Sequence, residues 1–280
     1  MTMTMTSDPL ARVPLPCRAP FAVIGMIHLL PLPGAPGWGG SMAAVEERAG
    51  RDAQALAAGG ADAVLVENYH DVPFLPGSLP AETVAALAAL TRLVREAVPL
   101  PVGVNALRND ARAALGVAAA TGAGFIRVNV HTGTMLTDQG TLEGRAHETL
   151  RVRAALGVEV AILADVLVKH AVPPHGLGVE RAAADAWERG RADALVISGE
   201  ATGAATDSAR LRAVRAAVPD APLYVGSGLA PDNAAALVPL ADGAIVGSAL
   251  QRDGRAGGPV EADRVRRLMD AVRSVRERPA

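Results

Sequence analysis

The chain of 280 residues is 50% hydrophobic and only 2% aromatic, and its net charge of −2 gives a pI of about 6.3. This length is ordinary for one α/β barrel, whose core would consist of Ala, Val and Leu. The lack of a basic excess argues against a nucleic-acid partner. The single cysteine, Cys17, excludes an internal disulfide and a cysteine-rich metal site, so a reducing, cytoplasmic setting fits.

The two ends of the chain differ in character. Residues 1–20 lack the apolar core of a secretion signal and predict a disordered N-terminal arm before a single domain over residues 21–280. No run of residues is long and apolar enough to span a bilayer. From Val260 onward the pattern predicts an Arg-rich amphipathic helix, which usually forms a solvated outer face. Weak peripheral contact with a membrane is the alternative for this helix.

Short apolar runs alternate with Ala-rich helical patterns along the whole domain. The predicted strands are Ala22–Ile27, Ala63–Val66, Val102–Asn105, Phe125–Val130, Val160–Ala164, Ala194–Ile197, Leu223–Val225 and Ala244–Val246. The predicted helices are Met42–Ala58, Ala81–Ala97, Asp110–Thr121, Glu143–Leu156, Val179–Arg189, Ser208–Ala217, Pro231–Val238 and Ala262–Val275. Eight such units predict a closed (β/α)8 TIM barrel. An open doubly wound sheet is the alternative, but its GxGxxG turn is missing.

Polar residues follow nearly every predicted strand, and in a barrel these strand ends meet on the face that carries the chemistry. The candidate catalytic residues there are Glu67, His131, Asp165 and Lys169. The candidate substrate-binding residues are His28, Asn68, Asn105, Arg127 and Asn129.

Lys169 is the only lysine among 27 Lys and Arg residues, and it follows the fifth predicted strand. A chance surface lysine is the simple explanation, but lysine can release a proton and arginine cannot do so readily. Asp165, four residues earlier, favours the charged amine. We therefore expect Lys169 to stabilise an anion rather than to form a Schiff base. Burial would lower its pKa and allow proton transfer.

Glu67 and Asp165 each end a strand, and both are candidate acid–base groups. For Glu67, an ion pair with Arg127 is equally well supported. His28 fits an acid–base role and a buried structural role equally well.

Asparagine amides suit sugar hydroxyl groups, although turn capping is common for this residue. Asn105 and Asn129 end neighbouring strands, and His131 would point the same way as Asn129 along a strand. Asn109 is better explained as the N-cap of the third helix.

Glycine and serine residues form the last two turns of the predicted barrel. Gly226, Ser227 and Gly228 follow the seventh strand, and Gly247 and Ser248 follow the eighth. Backbone N–H groups at helix N-termini bind phosphate, and these two turns are the usual phosphate site of barrel enzymes. Glycine also permits tight turns without any ligand. Two adjacent turns of this kind predict a phosphate site. The loop that begins at Ser198 and Gly199 would contribute to it or form a lid.

A metal site is not favoured by the sequence. A divalent ion held by Glu67, Asp165 and His131 is conceivable, but no HExxH or DxDxDG spacing is present. No other cofactor is indicated.

Several of these segments resemble the BtpA family of photosystem I biogenesis proteins, over most of the chain from Phe21 onward. The segments are GMIHLLPLPG (residues 25–34), EN with Asp71 (67–71), GVNALRND (103–110), FIRVNVHTG (125–133), ADVLVKH (164–170) and VGSG (225–228). The resemblance implies a barrel of the ribulose-phosphate-binding type. It also implies a role in photosystem I accumulation at thylakoids or, outside phototrophs, in sugar metabolism or nucleosidase chemistry. Glu200 departs from the basic residue expected after Ser198-Gly199.

These observations support two hypotheses. The first is an enzyme that acts on a phosphorylated sugar or nucleoside-like small molecule by C–N cleavage, isomerisation or aldol-type chemistry. The second is a non-enzymatic assembly or stability factor that binds protein or membrane partners. The cluster of polar strand ends favours the first, because a scaffold has no use for it. We also expect a homo-oligomer, as is common for such barrels.

Overall fold

A computed structural model of the protein describes residues 11–17, 19–199 and 207–277. The barrel strands are β1 (Ala22–His28), β2 (Ala63–Glu67), β3 (Val102–Asn105), β4 (Phe125–Val128), β7 (Ala161–Val166), β9 (Ala194–Ile197), β10 (Leu223–Val225) and β11 (Gly243–Val246). Three further strands, β5 (Thr134–Thr137), β6 (Gly140–Glu143) and β8 (Ala171–Val172), form a small antiparallel sheet. The helices are α1 (Met42–Gly59), α2 (Ala81–Ala97), α3 (Ala111–Thr121), α4 (Ala146–Leu156), α5 (Val179–Ala184), α6 (Ser208–Ala217), α7 (Ala234–Leu237) and α8 (Ala262–Arg276).

The eight barrel strands pair in parallel and close in the order β1-β11-β10-β9-β7-β4-β3-β2, which confirms the predicted (β/α)8 barrel. The order fixes which strands face each other across the ring. Strand β3 lies opposite β10, β4 lies opposite β11, and β1 lies opposite β7. Side chains that follow these strands can therefore form opposing walls of one site.

The core has two layers, as expected for a barrel covered by helices. Alternate strand residues point inwards, including Ile24, Leu65 and Phe125, and the others pack beneath the helices. Gly103 makes room for Phe125, because a Cβ at Gly103 would lie 2.2 Å from the Phe125 ring. Phe125 and Tyr224 are the aromatic residues of this inner cluster in the described chain.

Residues 11–17, part of the predicted N-terminal arm, contact the barrel. Arg12 stacks on Trp187 at 3.4 Å from the ring centroid, and the Val13 amide donates to Asp193 Oδ1 at 2.8 Å. Val13, Leu15 and Cys17 pack against the inner core. Because Asp193 directly precedes β9, this segment closes the barrel at the amino ends of its strands. Its apolar residues are spaced two apart, a pattern too short to stand out in the sequence.

Strand β4 ends at Val128, two residues earlier than predicted. The Asn109 amide captures the backbone of Val130: its Nδ2 donates to the Val130 carbonyl at 2.9 Å, and its Oδ1 accepts from the Val130 amide at 2.8 Å. Asn109 is therefore not the N-cap of α3; Asp110 is, accepting from the Ala113 amide. The chain then forms the β5–β6 hairpin, so α4 begins at Ala146 rather than at Glu143.

Helix α8 buries its apolar face on the barrel through Val265, Leu268, Met269 and Val272. That face is therefore not available for the weak membrane contact considered from the sequence. Among the described residues, no helix combines the length and apolarity needed to cross a membrane.

Candidate functional site

A cavity of about 310 Å³ lies at the carboxyl ends of the barrel strands. Its wall includes ten of the predicted site residues: His28, Glu67, Arg127, Asn129, Lys169, Gly226, Ser227, Gly228, Gly247 and Ser248. Residues that were not predicted as site residues also line it, among them Tyr69, His70, Phe74, Arg108 and His170. The volume suits a small-molecule ligand.

His28 is held in one tautomer by residues far along the chain. The Gly257 amide donates to Gln251 Oε1 at 2.9 Å, which fixes the orientation of the Gln251 side chain. Gln251 Nε2 then donates to His28 Nδ1 at 2.9 Å, and the Gly257 amide also reaches Nδ1 at 3.0 Å. Since Nδ1 accepts, the proton of the neutral ring is on Nε2.

His28 Nε2 faces Glu67, with 3.7 Å between Nε2 and Glu67 Oε1. Burial, together with the charge of Lys169, lowers the pKa of His28 to about 3, so the ring is neutral at pH 7. Tyr69 stacks on the ring at 4.1 Å between centroids, and Asn105 Nδ2 donates to Glu67 Oε2 at 2.6 Å. A neutral N–H donor and a carboxylate oxygen thus share one wall of the cavity.

Arg127 pairs with Asp165, not with Glu67 as the sequence had left open. Arg127 Nη2 lies 3.0 Å from Asp165 Oδ1, and both side chains are buried. Asn129 Nδ2 donates to Asp165 Oδ2 at 2.7 Å. Because a carboxylate oxygen accepts, this contact sets the orientation of the Asn129 amide. Asn129 Oδ1 is left buried, and no hydrogen-bond donor reaches it from the described part of the chain.

Lys169 lies after β7 and lines the cavity opposite His28. Burial and the nearby Arg127 lower the pKa of Lys169 to about 8. The amine is therefore mostly charged at pH 7 but can release its proton near neutral pH. Between residues 11 and 277, leaving aside 18 and 200–206, no carboxylate forms an ion pair with it.

Arg108 follows β3 and is only 6% exposed. Its Nη2 donates to the Lys169 carbonyl at 3.0 Å, and burial lowers the pKa of its guanidinium. No carboxylate of the described chain lies within ion-pair distance of it. The sequence offered no signal for this role beyond its position after a strand, since arginine is abundant throughout the chain.

The structure does not bring His131 to the site. Its Nε2 contacts the Gly190 carbonyl at 2.8 Å, and the ring is buried outside the cavity. The prediction assumed that the strand continued to Val130, so that alternate side chains would face the same way. With β4 ending at Val128, that alternation is broken. Burial lowers the pKa of His131 to about 4.

Asn68 and Asn105 lie behind the cavity wall instead of on it. Asn68 Nδ2 donates to Asp71 and to the Leu107 carbonyl, and its Oδ1 accepts from the Leu107 amide at 2.7 Å. Asn105 holds Glu67, as described above. Their contacts position the loops and the carboxylate, so neither offers its amide to a ligand directly.

The two glycine turns differ from the expectation in one respect: neither leads into a long helix. Helix α7 has four residues and begins at Ala234, and a short 3-10 turn follows Gly247. The Gly226 amide is already bonded to the Ile197 carbonyl at 2.8 Å, and a Cβ at Gly226 would lie 2.4 Å from Ser198 Oγ. The close approach of Ser198 thus explains why residue 226 is a glycine. Gly228 has a φ of 77°, which favours glycine.

Ser198 and Gly199 lie outside the cavity wall. The Gly199 amide donates to Ser227 Oγ at 3.3 Å, so this loop supports the adjacent turn. Ser198 Oγ is buried and has no hydrogen-bond partner in the described ranges. The rest of the loop, including Glu200, lies outside the described residues.

The hypothetical metal ligands are not assembled. Asp165 is occupied by Arg127 and Asn129, and His131 contacts Gly190. Within the described ranges, no group of three or more His, Cys, Asp or Glu side chains is arranged to hold a metal ion.

The closed barrel and its cavity define a (β/α)8 barrel protein with its candidate site at the carboxyl ends of the strands. The chain belongs to the BtpA family, whose model matches residues 20–274. It is 46% identical over 250 residues to the photosystem I biogenesis protein BtpA of Synechocystis sp., covering 89% of this chain and 87% of that protein. An uncharacterized protein of Thermococcus kodakarensis is 47% identical over 255 residues, covering 91% and 96% of the two chains.

Among solved structures, the chain is similar to N-(5'-phosphoribosyl)anthranilate isomerase from Pyrococcus furiosus. The TM-score is 0.55 at 16% identity, and the match covers 91% of this chain and 100% of that one. At this identity the likeness supports the fold alone.

Proposed function

We propose that the protein is an enzyme that acts on a phosphorylated sugar or nucleoside-like small molecule. The observation that carries the proposal is the His28–Glu67 pair, a neutral imidazole of fixed tautomer facing a carboxylate across 3.7 Å inside the cavity. Burying the polar groups of this pair costs free energy of folding. A protein that served only as a scaffold would have no function for the pair that offsets this cost.

Glu67 takes a proton from the substrate, and His28 donates its Nε2–H to the substrate oxygen that gains charge. A carboxylate base beside a neutral imidazole suits proton transfer next to a carbonyl group. Lys169 stabilises the developing negative charge from the opposite wall. In isomerisation the proton leaves the carbon beside the carbonyl, and in aldol-type cleavage it leaves the hydroxyl group on the carbon whose C–C bond breaks; both put negative charge on the carbonyl oxygen. In C–N cleavage, Glu67 would take a proton from a water molecule that attacks the sugar carbon. His28 would donate its Nε2–H to the leaving nitrogen and regain a proton from Glu67. Asp165, paired with Arg127, acts as a positioning group.

The unpartnered Asn129 Oδ1 supports a substrate with a hydroxyl group. A buried acceptor without a donor is costly, so a ligand that supplies an O–H would relieve the cost. Sugar hydroxyl groups are suitable donors of this kind.

The phosphate is assigned to the turns after β10 and β11, through Ser227, Gly228, Gly247 and Ser248. All four line the cavity, and two carry hydroxyl groups. The turns after the last two barrel strands are where phosphate is bound in many enzymes of this fold. The phosphoribosyl substrate in the name of the P. furiosus isomerase agrees with this assignment by analogy only.

The proposal can be tested without knowing the reaction. The protein is incubated in D2O with a panel of pentose and hexose phosphates and nucleoside monophosphates, and products are read by mass spectrometry and NMR. Solvent deuterium entering a C–H position, or release of a free base, that is lost in Glu67→Gln would support the enzyme. No change in any compound would reject it for this substrate class.

The second candidate is an assembly factor, and the name of the Synechocystis relative favours it. On this account the barrel binds a protein or membrane partner through its surface. Deuterium exchange or turnover with any small molecule, abolished by Glu67→Gln, would contradict a purely structural role. Partner binding that persists in Glu67→Gln, with no chemistry found, would favour it.

A further inference from the structure

We infer that the cavity has a second anion subsite, formed by Arg108 with Lys169, and that the substrate carries a second anionic group opposite its phosphate. The inference rests on the proposed phosphate-binding function and deepens it. The chemical class is a phosphorylated sugar that also bears a carboxylate or a second phosphate.

Among the described residues, the charges in and beside the cavity are unbalanced. Three cations, Arg108, Arg127 and Lys169, lie near two carboxylates, Glu67 and Asp165. The Arg127–Asp165 pair is mutually satisfied at 3.0 Å. Neither Arg108 nor Lys169 has an ion-pair partner in the described chain. Asp138, which also acts on Arg108, is exposed on the hairpin, so solvent weakens its effect.

Of the two cations, Arg108 is the stronger evidence for a bound anion, because it is only 6% exposed. Within the described chain, the one hydrogen bond of its guanidinium goes to a backbone carbonyl, which is neutral. A buried guanidinium is normally paired with an anion, since removing its charge from water is otherwise costly. Arg108 lines the cavity, so an anion bound there would supply the missing partner through a geometry that arginine favours for carboxylates and phosphates.

The barrel topology separates this subsite from the phosphate turns. Arg108 follows β3, which lies directly across the ring from β10 and its Ser227–Gly228 turn. Lys169 follows β7, which is two strands from β10 on the other side of β9. The Arg108 guanidinium bonds to the Lys169 carbonyl, so its charge lies beside the loop after β7 and not at the glycine turns after β10 and β11. We therefore expect its anionic partner to be a group other than the phosphate. One molecule with charge at both ends would satisfy both walls.

The test uses isothermal titration calorimetry to compare pairs of ligands that differ by one anionic group. Ribulose 5-phosphate is compared with ribulose 1,5-bisphosphate, and glucose 6-phosphate with 6-phosphogluconate. In the wild type, at least one member with two anionic groups should bind about tenfold more tightly than its partner. The pair that shows the larger ratio identifies the second group as phosphate or carboxylate.

Arg108→Gln should reduce this ratio towards one, and Arg108→Lys should retain part of it. Arg112→Gln is the matched control. Arg112 is exposed on α3, and its substitution removes the same charge four residues after Arg108. If Arg108→Gln does not fold, Lys169→Gln tests the same ratio.

The second anion subsite and the proposed function would be rejected by different results. Monophosphates that bind with no gain from a second charge, or a ratio unchanged in Arg108→Gln, would overturn the second subsite and leave the phosphate site standing. Failure of every phosphorylated sugar to bind would remove the proposed function and the subsite with it.

Discussion

Asp165 determines how Asn129 presents its amide to the cavity. The 2.7 Å contact from Asn129 Nδ2 to Asp165 Oδ2 directs the amide nitrogen towards the carboxylate, which Arg127 holds in turn. Asn129 Oδ1 is consequently an acceptor with no donor in the described structure. The Arg127–Asp165 ion pair thus orients the Asn129 side chain so that its amide oxygen is left to accept a hydrogen bond.

The first prediction concerns Asn129. Asn129→Leu should weaken binding of a sugar phosphate by about tenfold, because one hydrogen bond to a ligand hydroxyl is lost. Binding of inorganic phosphate should change much less, since that ligand does not reach the amide. Titration calorimetry with both ligands measures the difference. Equal losses for both would argue against a hydroxyl contact.

The second prediction concerns the tautomer of His28. Gln251→Leu removes one of the two donors to His28 Nδ1 and also the Oε1 acceptor that the Gly257 amide, the second donor, bonds to, so the Nε2–H form should no longer be fixed. In ¹⁵N NMR spectra the wild type should show a single Nε2–H tautomer, and the variant a mixture or a reoriented ring. Gln139→Leu, a change on the β5–β6 hairpin away from His28, serves as the control. A pure Nε2–H form in Gln251→Leu would mean that the Gly257 amide alone is sufficient.

The third prediction concerns Lys169 and pH. Its pKa of about 8 means that affinity for a ligand with a second anionic group, such as ribulose 1,5-bisphosphate, should be flat near pH 7 and fall above pH 8 as the amine loses its proton. The phosphate, with a pKa of about 6, is already fully charged there. Lys169→Arg should bind without this decline, and Lys169→Met should bind weakly at every pH. A decline that persists in Lys169→Arg would assign it to another group.

In the unliganded protein, the free energy of unfolding should change with pH in the opposite direction to the ligand affinity. The unfolded chain keeps the Lys169 proton up to an ordinary pKa of 10.5, whereas the folded chain releases it near 8. The unfolded state therefore binds more protons between these values, and the free energy of unfolding should rise with pH across that window. Denaturant titrations of the wild type and Lys169→Met would isolate the contribution, which the variant lacks.

The fourth prediction concerns His131, which we assign to stability rather than to chemistry. Its pKa of about 4 lies below the ordinary 6.5, so the unfolded chain binds more protons between these values and stability should fall as the pH drops from 6.5 towards 4. His131→Leu should lower the free energy of unfolding by about 1–3 kcal/mol at pH 7, because the Gly190 carbonyl loses its donor.

In His131→Leu the acid-induced loss of stability should also be smaller than in the wild type. Urea titrations from pH 4 to pH 7 provide the comparison. Loss of ligand binding in a folded His131→Leu protein would contradict this assignment and return His131 to the site.

The barrel could be predicted because its signal is local and repeated: eight apolar runs, each followed by a turn and a helix. The same reasoning found His28, Glu67, Arg127 and Lys169, because each lies where a strand ends. It misplaced His131, since the position where β4 ends depends on Asn109, whose side chain bonds to the backbone of Val130, 21 positions later. No local pattern predicts that contact.

Gln251 and Gly257 could not be predicted for a similar reason. They reach His28 from more than 220 residues away, and only ring closure between β1 and β11 brings them together. The sequence did not single out Arg108 as a ligand-binding residue, because arginine is abundant in the chain and only its burial distinguishes this one.

The most direct test of the account is whether phosphate contributes to ligand affinity through the turns after β10 and β11. Calorimetric titrations would compare each of several pentose and hexose phosphates with its unphosphorylated sugar, in the wild type, in Ser248→Asp, and in Ser274→Asp, a control at an exposed position of α8. We predict that at least one phosphorylated sugar binds, that its parent sugar binds far more weakly, and that only Ser248→Asp abolishes the difference. Equal affinities with and without phosphate, or binding unaffected by Ser248→Asp, would contradict the account.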